Sequence, residues 1–286
     1  MLIERNKPIK RLNSWRLGGC VSYYSLPKNK ADLMMLLESG SNTKHGLVFL
    51  GLGSNVFFPD GVLDAHIVNM KHINQLTLQH DIMCVDSGVT LARIAKAGVR
   101  LGMKQAAFLA GIPGTLGGAL KMNAGANGAS IWDYVISVEV YTDSGLKTLY
   151  PEDFDVGYRS VHCRGCSVHC FLSARLKFTV DVVSDAMGYM KMLLSNRNLV
   201  QPIGTFNCGC VFRNIPGKSI GKLFDELGLK GLEIGGARIS PVHANFIENI
   251  AKGATAEDVW ALIHCMQDAL YAAHQIKPEL EVVVYD

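Results

Sequence analysis

The sequence predicts a protein of mixed helices and strands with about two domains. Its 286 residues suffice for two domains of ordinary size or three small ones. Short runs in which apolar and polar residues partly alternate, within 62–88, are typical of strands. Residues 31–39 and 255–270 instead carry apolar side chains at helical spacing. Apolar residues make up 49% of the chain, as in globular proteins generally.

Charge and hydropathy exclude several classes of function. The net charge is +3 and the pI is about 8.4, and the sequence contains no basic run. We therefore do not expect nucleic acid as a partner, whereas the mild positive charge suits an anionic substrate. The first twelve residues lack the apolar core of a signal peptide. No uncharged apolar run approaches the ~20 residues needed to cross a bilayer. We therefore predict a cytoplasmic protein without membrane insertion, whose eight cysteines are reduced thiols.

The secondary structure can be assigned in order along the chain. Thr90 and Thr255 stand where helix N-caps are expected, and residues 142–145 (TDSG) form a plausible hairpin turn. The predicted elements are a helix at 31–39, a strand at 47–50, three strands within 62–88, a helix at 90–101, a hairpin of 135–141 and 146–149, a strand at 170–178, helices at 181–199, 220–229 and from 255, and a strand at 280–285.

The most unusual stretch runs from residue 108 to 128, FLAGIPGTLGGALKMNAGANG. It contains six glycines and one proline and carries almost no charge. Linkers are polar or of low complexity, and glycine lets another group approach the backbone closely, so the stretch predicts a buried backbone cradle. Its N–H groups could line a phosphate-bearing ligand. The alternative is a tight strand-to-helix connection that binds nothing.

A second glycine-rich turn supports the ligand-binding alternative. The predicted strand at 47–50 enters Gly51-Leu52-Gly53-Ser54-Asn55. A strand followed by a glycine-rich turn is the context in which such loops bind phosphate, although the GxGxxG fingerprint and a P-loop lysine are both missing. Two such loops in one domain favour a cofactor that carries a diphosphate.

The segment GIPGTLGGALKMNAGANG resembles the flavin-binding segment of UDP-N-acetylenolpyruvoylglucosamine reductases, and the GLGSN turn also matches a flavin loop of this family. The resemblance runs in order from Asn13 to the last strand. It implies an α+β fold, with a two-lobed FAD-binding region of the vanillyl-alcohol-oxidase/PCMH type (1–70 and 71–180). A C-terminal α+β substrate domain (181–286) follows, its last strand returning to the active site. No extra segment separates Arg159 from Gln201, so the shorter subtype, without a tyrosine-bearing loop, matches better.

The resemblance also implies the reaction and its cofactors. NADPH gives hydride to FAD, and the hydride then passes to C3 of the enolpyruvyl ether of UDP-N-acetylglucosamine. The product is UDP-N-acetylmuramate, a peptidoglycan precursor. The expected partner is thus a nucleotide sugar, and we expect a monomer. The implied FAD-binding residues are Gly51, Gly53, Ser54, Asn55, Gly111, Ile112, Pro113, Gly114, Thr115, Gly117, Gly118, Asn123, Ala124 and Gly125.

An arginine and a tyrosine in FDVGYR (154–159) are implied as site residues. Taken alone, Arg159 could be an ordinary exposed strand end. In the resembled family, this motif carries an active-site arginine, and a guanidinium can grip a carboxylate with two parallel hydrogen bonds. The resemblance further implies that Tyr158 and Asn214 bind substrate.

Two further residues are implied in proton supply at C2. The block QPIGTFNCGCVFRN resembles the family's Q-P and N-x-G-S-x-F-x-N signature, with Cys210 in the place of the proton-donating serine. The thiol keeps an acidic group on a side chain of the same length, so we predict it as the general acid. Glu281, in the predicted tail strand, must be exposed, paired or functional. It best fits the family's active-site glutamate, with Glu279 as second choice, while Val283 stands where the family often has arginine.

Other polar residues leave alternatives open. The run HCRGCSVHC (162–170) has metal-ligand chemistry, but no second Cys-x-x-Cys accompanies it. Its thiols could equally pack as apolar groups, and the resemblance implies no metal. His243 and Asn245 could be catalytic, or could hold a loop by hydrogen bonds. The rival functions are an oxidase or dehydrogenase with the same flavin domain, and a thiol- or zinc-responsive protein that rests on the 163–170 cluster and the Cys208/Cys210 pair.

Overall fold

A computed structural model describes residues 2–40, 42–181, 183 and 185–285, and its N-terminal lobe is built on a four-stranded sheet. Strand β1 is antiparallel to β2, while β5 lies between β2 and β3 and is parallel to both. Because β3 and β5 are parallel, they end at the same edge of the sheet. The elements of this lobe are β1 (Ile3–Pro8), β2 (Cys20–Ser25), α1 (Lys30–Ser39), β3 (Leu47–Leu50), β4 (Val56–Phe57) and β5 (Val62–Asn69).

The second lobe is an antiparallel five-stranded sheet covered by helices. Its elements are β6 (Leu76–Gln79), β7 (Ile82–Asp86), α2 (Leu91–Arg100), α3 (Leu116–Met122), β8 (Gly125–Ala126), β9 (Ala129–Ser130), β10 (Val135–Thr142), β11 (Gly145–Leu149), β12 (Phe154–Gly157), β13 (Ser160–Cys163) and β14 (Val168–Lys177). The sheet order is β11-β10-β14-β7-β6, and β12–β13 and β8–β9 are separate hairpins. The Thr90 hydroxyl accepts from the backbone N–H of Arg93, which confirms the predicted cap of α2.

The C-terminal part packs a long helix against a small sheet. It contains α4 (Ala186–Val200), α5 (Ile220–Glu226), β15 (Glu233–Ile234), β16 (Ala237–Ile239), β17 (Ile247–Asn249), α6 (Ala256–His274) and β18 (Val283–Val284). Thr255 and Asp258 cap α6 reciprocally, as predicted for Thr255. The predicted apolar face of α6 is buried: Val259, Leu262, Ile263, Met266 and Leu270. Short 3-10 helices elsewhere cover Lys10–Leu12, Met70–His72, Lys104–Gly111, Ile131–Tyr134, Pro151–Asp153 and Ile250–Lys252.

The N-terminal lobe and the C-terminal part share a hydrophobic core. Trp15, Leu17 and Phe57 of the first lobe are buried among residues of α5, α6 and β17. The Trp15 indole Nε1 donates to the Ile247 carbonyl at 2.6 Å. At the other end of the chain, β18 pairs in parallel with β4. The chain therefore returns to its first lobe just before it ends.

Three predictions about the C-terminal half need correction. The helix predicted for 181–199 begins at Ala186, with residues 182 and 184 outside the described residues, and α4 packs on Val99 and Ala107 of the second lobe. The predicted tail strand shrinks to Val283–Val284, because Leu280 makes only an isolated bridge with Phe212. The helix predicted for 220–229 ends at Glu226.

Within the described residues, no helix is both long and apolar enough to cross a membrane. The domain boundaries at 70 and 180 stay predictions.

Candidate active site

A cavity of about 860 Å³ lies where the two predicted glycine-rich loops face each other. Helix α4 and the C-terminal tail complete its wall. Arg159, Cys210 and Glu281 all line it. Of the fourteen predicted cofactor residues, thirteen line it as well: Gly51, Gly53, Ser54, Asn55, Gly111, Ile112, Pro113, Gly114, Thr115, Gly117, Gly118, Ala124 and Gly125. Asn123 lies behind this wall, and its side-chain amide donates to the Gly157 carbonyl.

The first loop follows β3 and requires glycine at two positions. A Cβ on Gly51 would collide with the Thr115 side chain, and one on Gly53 with the Leu12 carbonyl. Gly53 also has φ 64°, a left-handed conformation that favours glycine. The loop therefore lies closely against its neighbours while its open side faces the cavity.

The second loop is joined to the first by a direct hydrogen bond. The Ser54 hydroxyl donates to the Pro113 carbonyl at 2.8 Å. Gly114 has φ 142°, again a region that L side chains rarely adopt. At Gly118 a Cβ would meet nothing within 4 Å, so the backbone there faces open space. Glycine backbone lines the cavity from both loops.

Residues of this cavity fit FAD. The cations Lys121 and Arg197 line the same space as the glycine backbone, which suits a ligand with a diphosphate group. Burial lowers the pKa of Arg197, whose Nε donates to Gln201 at 2.7 Å. This arginine, the adjacent Asn196 and Gln201 line the cavity but were not predicted. The sequence signal that could have identified them is the group of polar residues in the last turn of a predicted helix, directly before Gln201-Pro202.

Arg159 is held in place by four contacts. Its Nε donates to Oε1 of Glu281 at 2.9 Å, and its two terminal nitrogens donate to the carbonyls of Asn123 and Gly125 at 3.3 and 3.2 Å. The guanidinium also lies over the Tyr158 ring, 5.0 Å from the centroid. Arg159 itself has φ 54° at the turn between β12 and β13. The fold thus fixes one permanent positive charge at the cavity wall.

Glu281 reaches the same place from the C-terminal tail. Its backbone N–H donates to the Val211 carbonyl, and its carbonyl accepts from the Asn55 side chain at 3.0 Å. Burial raises the pKa of its carboxyl above the ordinary value, with the charge of Arg159 acting in the opposite direction. Glu279, the second choice, has a side chain 79% exposed and lies 3.6 Å from Arg213. The geometry favours Glu281 over Glu279.

Cys210 lies on the loop between α4 and α5, not on a strand. Burial raises the pKa of its thiol to about 12, the negative charge of Glu281 adds to this, and Arg159 opposes it. The thiol is therefore protonated throughout the neutral range. On a strand, Cys208 and Cys210 would share a face, but Gly209 turns the chain between them with φ 84°. Both cysteines nevertheless line the cavity.

Asn245 holds the loop that carries Cys210. Its side chain both accepts from the Phe212 N–H and donates to the Phe212 carbonyl, at 3.0 and 2.8 Å. His243 accepts from the Asn245 N–H through Nδ1, and burial lowers the pKa of its imidazole. Both residues lie outside the cavity lining. These contacts favour the loop-positioning alternative for the pair.

Tyr158 and Asn214, predicted to bind substrate, touch each other outside the cavity lining. The Asn214 N–H donates to the Tyr158 hydroxyl at 3.4 Å, and the Asn214 side chain accepts from Ile220 at the start of α5. The Tyr158 side chain is exposed. The two residues connect the β12–β13 hairpin to the C-terminal part, and their contact with substrate stays a prediction.

The Cys/His run at 162–170 divides between surface and core. Cys170 is buried beside Leu172, whereas Cys163 and Cys166 lie half-buried with their sulfur atoms 3.4 Å apart. His169 contacts Asp143. Within the described residues, no group of three or more His, Cys, Asp or Glu side chains could hold a metal ion. That the protein binds no metal stays a prediction.

Comparison with known proteins decides the family. Residues 21–148 match a model described as FAD binding domain, and 201–285 match the C-terminal domain of UDP-N-acetylenolpyruvoylglucosamine reductase. The UDP-N-acetylenolpyruvoylglucosamine reductase of Legionella pneumophila strain Paris is 39% identical over 265 residues, 92% of this chain and 86% of that protein. The chain belongs to the UDP-N-acetylenolpyruvoylglucosamine reductase family.

Other members of the reductase family agree with this assignment. The reductase of Alkalilimnicola ehrlichii is 39% identical over 281 residues, 97% of this chain and 93% of its own. The crystal structure of the reductase from Thermus caldophilus superposes with a TM-score of 0.86 at 30% identity, and both chains are covered in full. The chain is therefore an FAD-dependent oxidoreductase, and the predicted α+β fold with an FAD region of the PCMH type is confirmed. The match at 201–285 separates it from oxidases that share only the flavin domain.

Proposed function

We propose that this reductase uses Arg159, Cys210 and Glu281 to complete the NADPH-dependent reduction of UDP-N-acetylglucosamine enolpyruvate to UDP-N-acetylmuramate in peptidoglycan precursor synthesis. The observation that carries the proposal is that these three side chains converge on one cavity. Three side chains from separate parts of the chain line one cavity with both glycine-rich loops. When bound between these loops, FAD supplies hydride transfer from NADPH to C3 of the enolpyruvyl group. The thirteen cavity-lining residues named above and Asn123 behind them would hold it.

Arg159 stabilises the charge that develops on the substrate carboxylate. A hydride added to C3 leaves negative charge at C2, which delocalises into the neighbouring carboxylate as an enolate. Arg159 is held by Glu281 and two backbone carbonyls, so its charge needs little reorganisation when this enolate forms.

Cys210 donates the proton to C2. A carbon anion next to a carboxylate is a strong base, so a thiol with a pKa of about 12 is acidic enough to protonate it. Glu281 lies beside the same guanidinium, and its raised pKa keeps part of it protonated closer to neutrality than an ordinary carboxyl. It assists at the same centre, by polarity or by supplying the proton.

The remaining assignments concern the substrate contacts, the domains, the oligomeric state and the location of the protein. Tyr158 and Asn214 lie together at the edge of the hairpin that carries Arg159, which suits contact with the nucleotide-sugar part of the substrate. The proposed domains follow the two sheets and the C-terminal core, with 1–70 and 71–180 as flavin lobes and 181–286 as substrate domain.

One chain supplies every proposed site residue, which supports a monomer. Eight free thiols support a reducing, cytoplasmic location.

A titration of the flavoprotein tests the function. Oxidised holoprotein should absorb at about 450 nm and be bleached by one equivalent of NADPH without oxygen. One equivalent of the enolpyruvyl substrate should then restore the absorbance and yield one UDP-N-acetylmuramate. If oxygen restores the absorbance and the substrate does not, the proposed reaction is wrong. Metal analysis of the same sample tests the prediction that no metal is bound.

A further inference from the structure

We propose that Cys163 and Cys166 form a redox-active dithiol that reacts with low-molecular-weight disulfides and closes to a Cys163–Cys166 disulfide. The pair lies at the bend between β13 and β14, and neither residue lines the flavin cavity. This site of thiol modification is separate from the cavity in which the enolpyruvyl ether is proposed to be reduced.

The two sulfur atoms are already in contact. They lie 3.4 Å apart, and a disulfide bond is about 2.05 Å long, so a small side-chain movement joins them. Both side chains are half-buried, and a Cβ at the intervening Gly165 would meet nothing within 4 Å. The bend is thus open to a small reagent and free to adjust as the bond forms.

The fold fixes the Cys163 end of this pair. Cys163 is paired with Phe154 in the β12–β13 ladder. The backbone N–H of Arg164 donates to the Asp153 carbonyl, and its guanidinium lies 2.7 Å from Asp155. Strand β14 begins at Val168, directly after the bend. The short connection between β13 and β14 therefore keeps the two sulfur atoms close to each other.

Other cysteines in the described residues lack this combination. Cys170 and Cys208 are buried, and Cys210 lines the catalytic cavity. Cys20 and Cys84 are half-buried but have no sulfur–sulfur contact within the described residues. Cys265 is exposed, but no other thiol is in hydrogen-bonding contact with it within the described residues. Cys265 can therefore form a mixed disulfide but has no neighbour to complete an intramolecular one.

The reaction balances as two thiol–disulfide exchanges. The Cys163 thiolate attacks one sulfur of oxidised glutathione, forming a mixed disulfide and releasing one reduced glutathione. Cys166 then loses its proton and attacks the Cys163 sulfur, which releases the second glutathione. The dithiol is oxidised by two electrons and the glutathione disulfide is reduced by two. Desolvation and the neighbouring Cys163 raise the pKa of Cys166, which lowers its thiolate fraction, so the first attack is assigned to Cys163.

Thiol counting on the native holoprotein tests this proposal. The protein is incubated with oxidised glutathione, quenched in acid, unfolded, alkylated with N-ethylmaleimide and mapped by mass spectrometry. We expect Cys163 and Cys166 to be joined and lighter by two hydrogens, while Cys265 carries glutathione. Cys166→Ser should stop at glutathione on Cys163. Cys265→Ser should leave closure of the pair unchanged.

The label on Cys265 reports that the oxidant was active. If Cys265 carries glutathione while Cys163 and Cys166 both remain alkylated, the proposal is overturned. It is equally overturned if wild-type protein accumulates stable glutathione adducts on Cys163 or Cys166 instead of closing the ring. Incubation of the oxidised protein with dithiothreitol should return both thiols, which distinguishes the disulfide from irreversible oxidation.

Discussion

Cys210 stands where the resembled family motif has a serine, so a thiol replaces a hydroxyl at the position of the proposed proton donor. The fold keeps this thiol protonated. Burial raises its pKa to about 12, so the thiol is protonated throughout the neutral range. The nearby Arg159 acts in the opposite direction without reversing the shift. A protonated thiol in this position suits the proposed role of proton donor and not that of a nucleophilic thiolate.

Replacing Cys210 should separate the two half-reactions. In Cys210→Ala, reduction of the flavin by NADPH should be nearly intact, because hydride transfer to the cofactor needs no thiol. Oxidation of the reduced flavin by substrate should slow by ~10²–10⁴-fold, the usual loss when a general acid is removed. Stopped-flow absorbance measures each half separately.

Two further variants control this comparison. Cys210→Ser should recover much of the lost rate, since a hydroxyl replaces the acid at the same distance. Cys208→Ala should cost little in rate, because Cys208 belongs to the hydrophobic core cluster. Wild-type turnover in Cys210→Ala would move the proton donor elsewhere, with Glu281 the first candidate.

Glu281 should make stability depend on pH. Its pKa is raised in the folded protein, mainly by burial, above the ordinary value of 4.5. A raised carboxyl pKa contributes stability that is fully present below the unfolded-state pKa and is lost as pH rises through the folded-state pKa. The stability of wild type relative to Glu281→Gln should therefore fall as pH rises from below 4.5. Urea unfolding across a pH series measures this difference, and a pH-independent difference would contradict the assignment.

The two glycine-rich loops behave as one element, because Ser54 on the first donates to Pro113 on the second. Their shape depends on glycines with left-handed backbone conformations as well as on open space. A substitution in either loop can thus act through backbone strain or by filling the cavity, and an experiment must distinguish the two.

Gly114→Val should release the flavin. The valine would force an unfavourable conformation at φ 142° and place its side chain beside Ser54 at the cavity wall. Gly145→Val is the matched control, because Gly145 has φ 92° at the turn between β10 and β11 and lies outside the cavity lining. Flavin content of the purified, folded proteins is the measurement. Full flavin retention in Gly114→Val, or equal loss in both variants, would argue against this position of the cofactor.

Local chemistry explains which elements the sequence could predict. The caps at Thr90 and Thr255 are hydrogen bonds within a few residues, and both are formed. The glycine-rich loops were recognised because their composition is unusual. Long-range contacts decided the rest: Leu280 is held as a single bridge and not in a strand, and Gly209 turns the chain between two cysteines. That α4 would bring Arg197 to the cavity depends on its packing against Val99 and Ala107, which no local pattern encodes.

Trp15 joins the first lobe to the C-terminal core. Its side chain is fully buried, packs edge-on against Phe57 and donates to the Ile247 carbonyl. This single side chain therefore links the first lobe to the C-terminal core both by packing and by a hydrogen bond to a residue 232 positions away in the sequence.

Trp15→Phe should destabilise the protein by about 1–3 kcal/mol through the unpaired carbonyl, with a further loss from the smaller ring. Urea unfolding measures the change. Trp260→Phe is the matched control, since that indole also packs on Phe57 but is only half-buried. Similar losses in the two variants would show that the buried hydrogen bond of Trp15 contributes nothing special.

The hydrogen bond from Asn55 to the Glu281 carbonyl spans 226 residues and has a consequence for the order of assembly. The two glycine-rich loops lie within residues 51–125, so they can meet after closing a loop of moderate length. Glu281 reaches them through the pairing of β18 with β4, a contact that closes a far longer stretch of chain and is therefore expected to form later. A newly made molecule should thus acquire its redox centre before its acid–base centre. Until the tail docks, it would be a flavoprotein that can accept electrons from NADPH without yet being able to complete a sugar product.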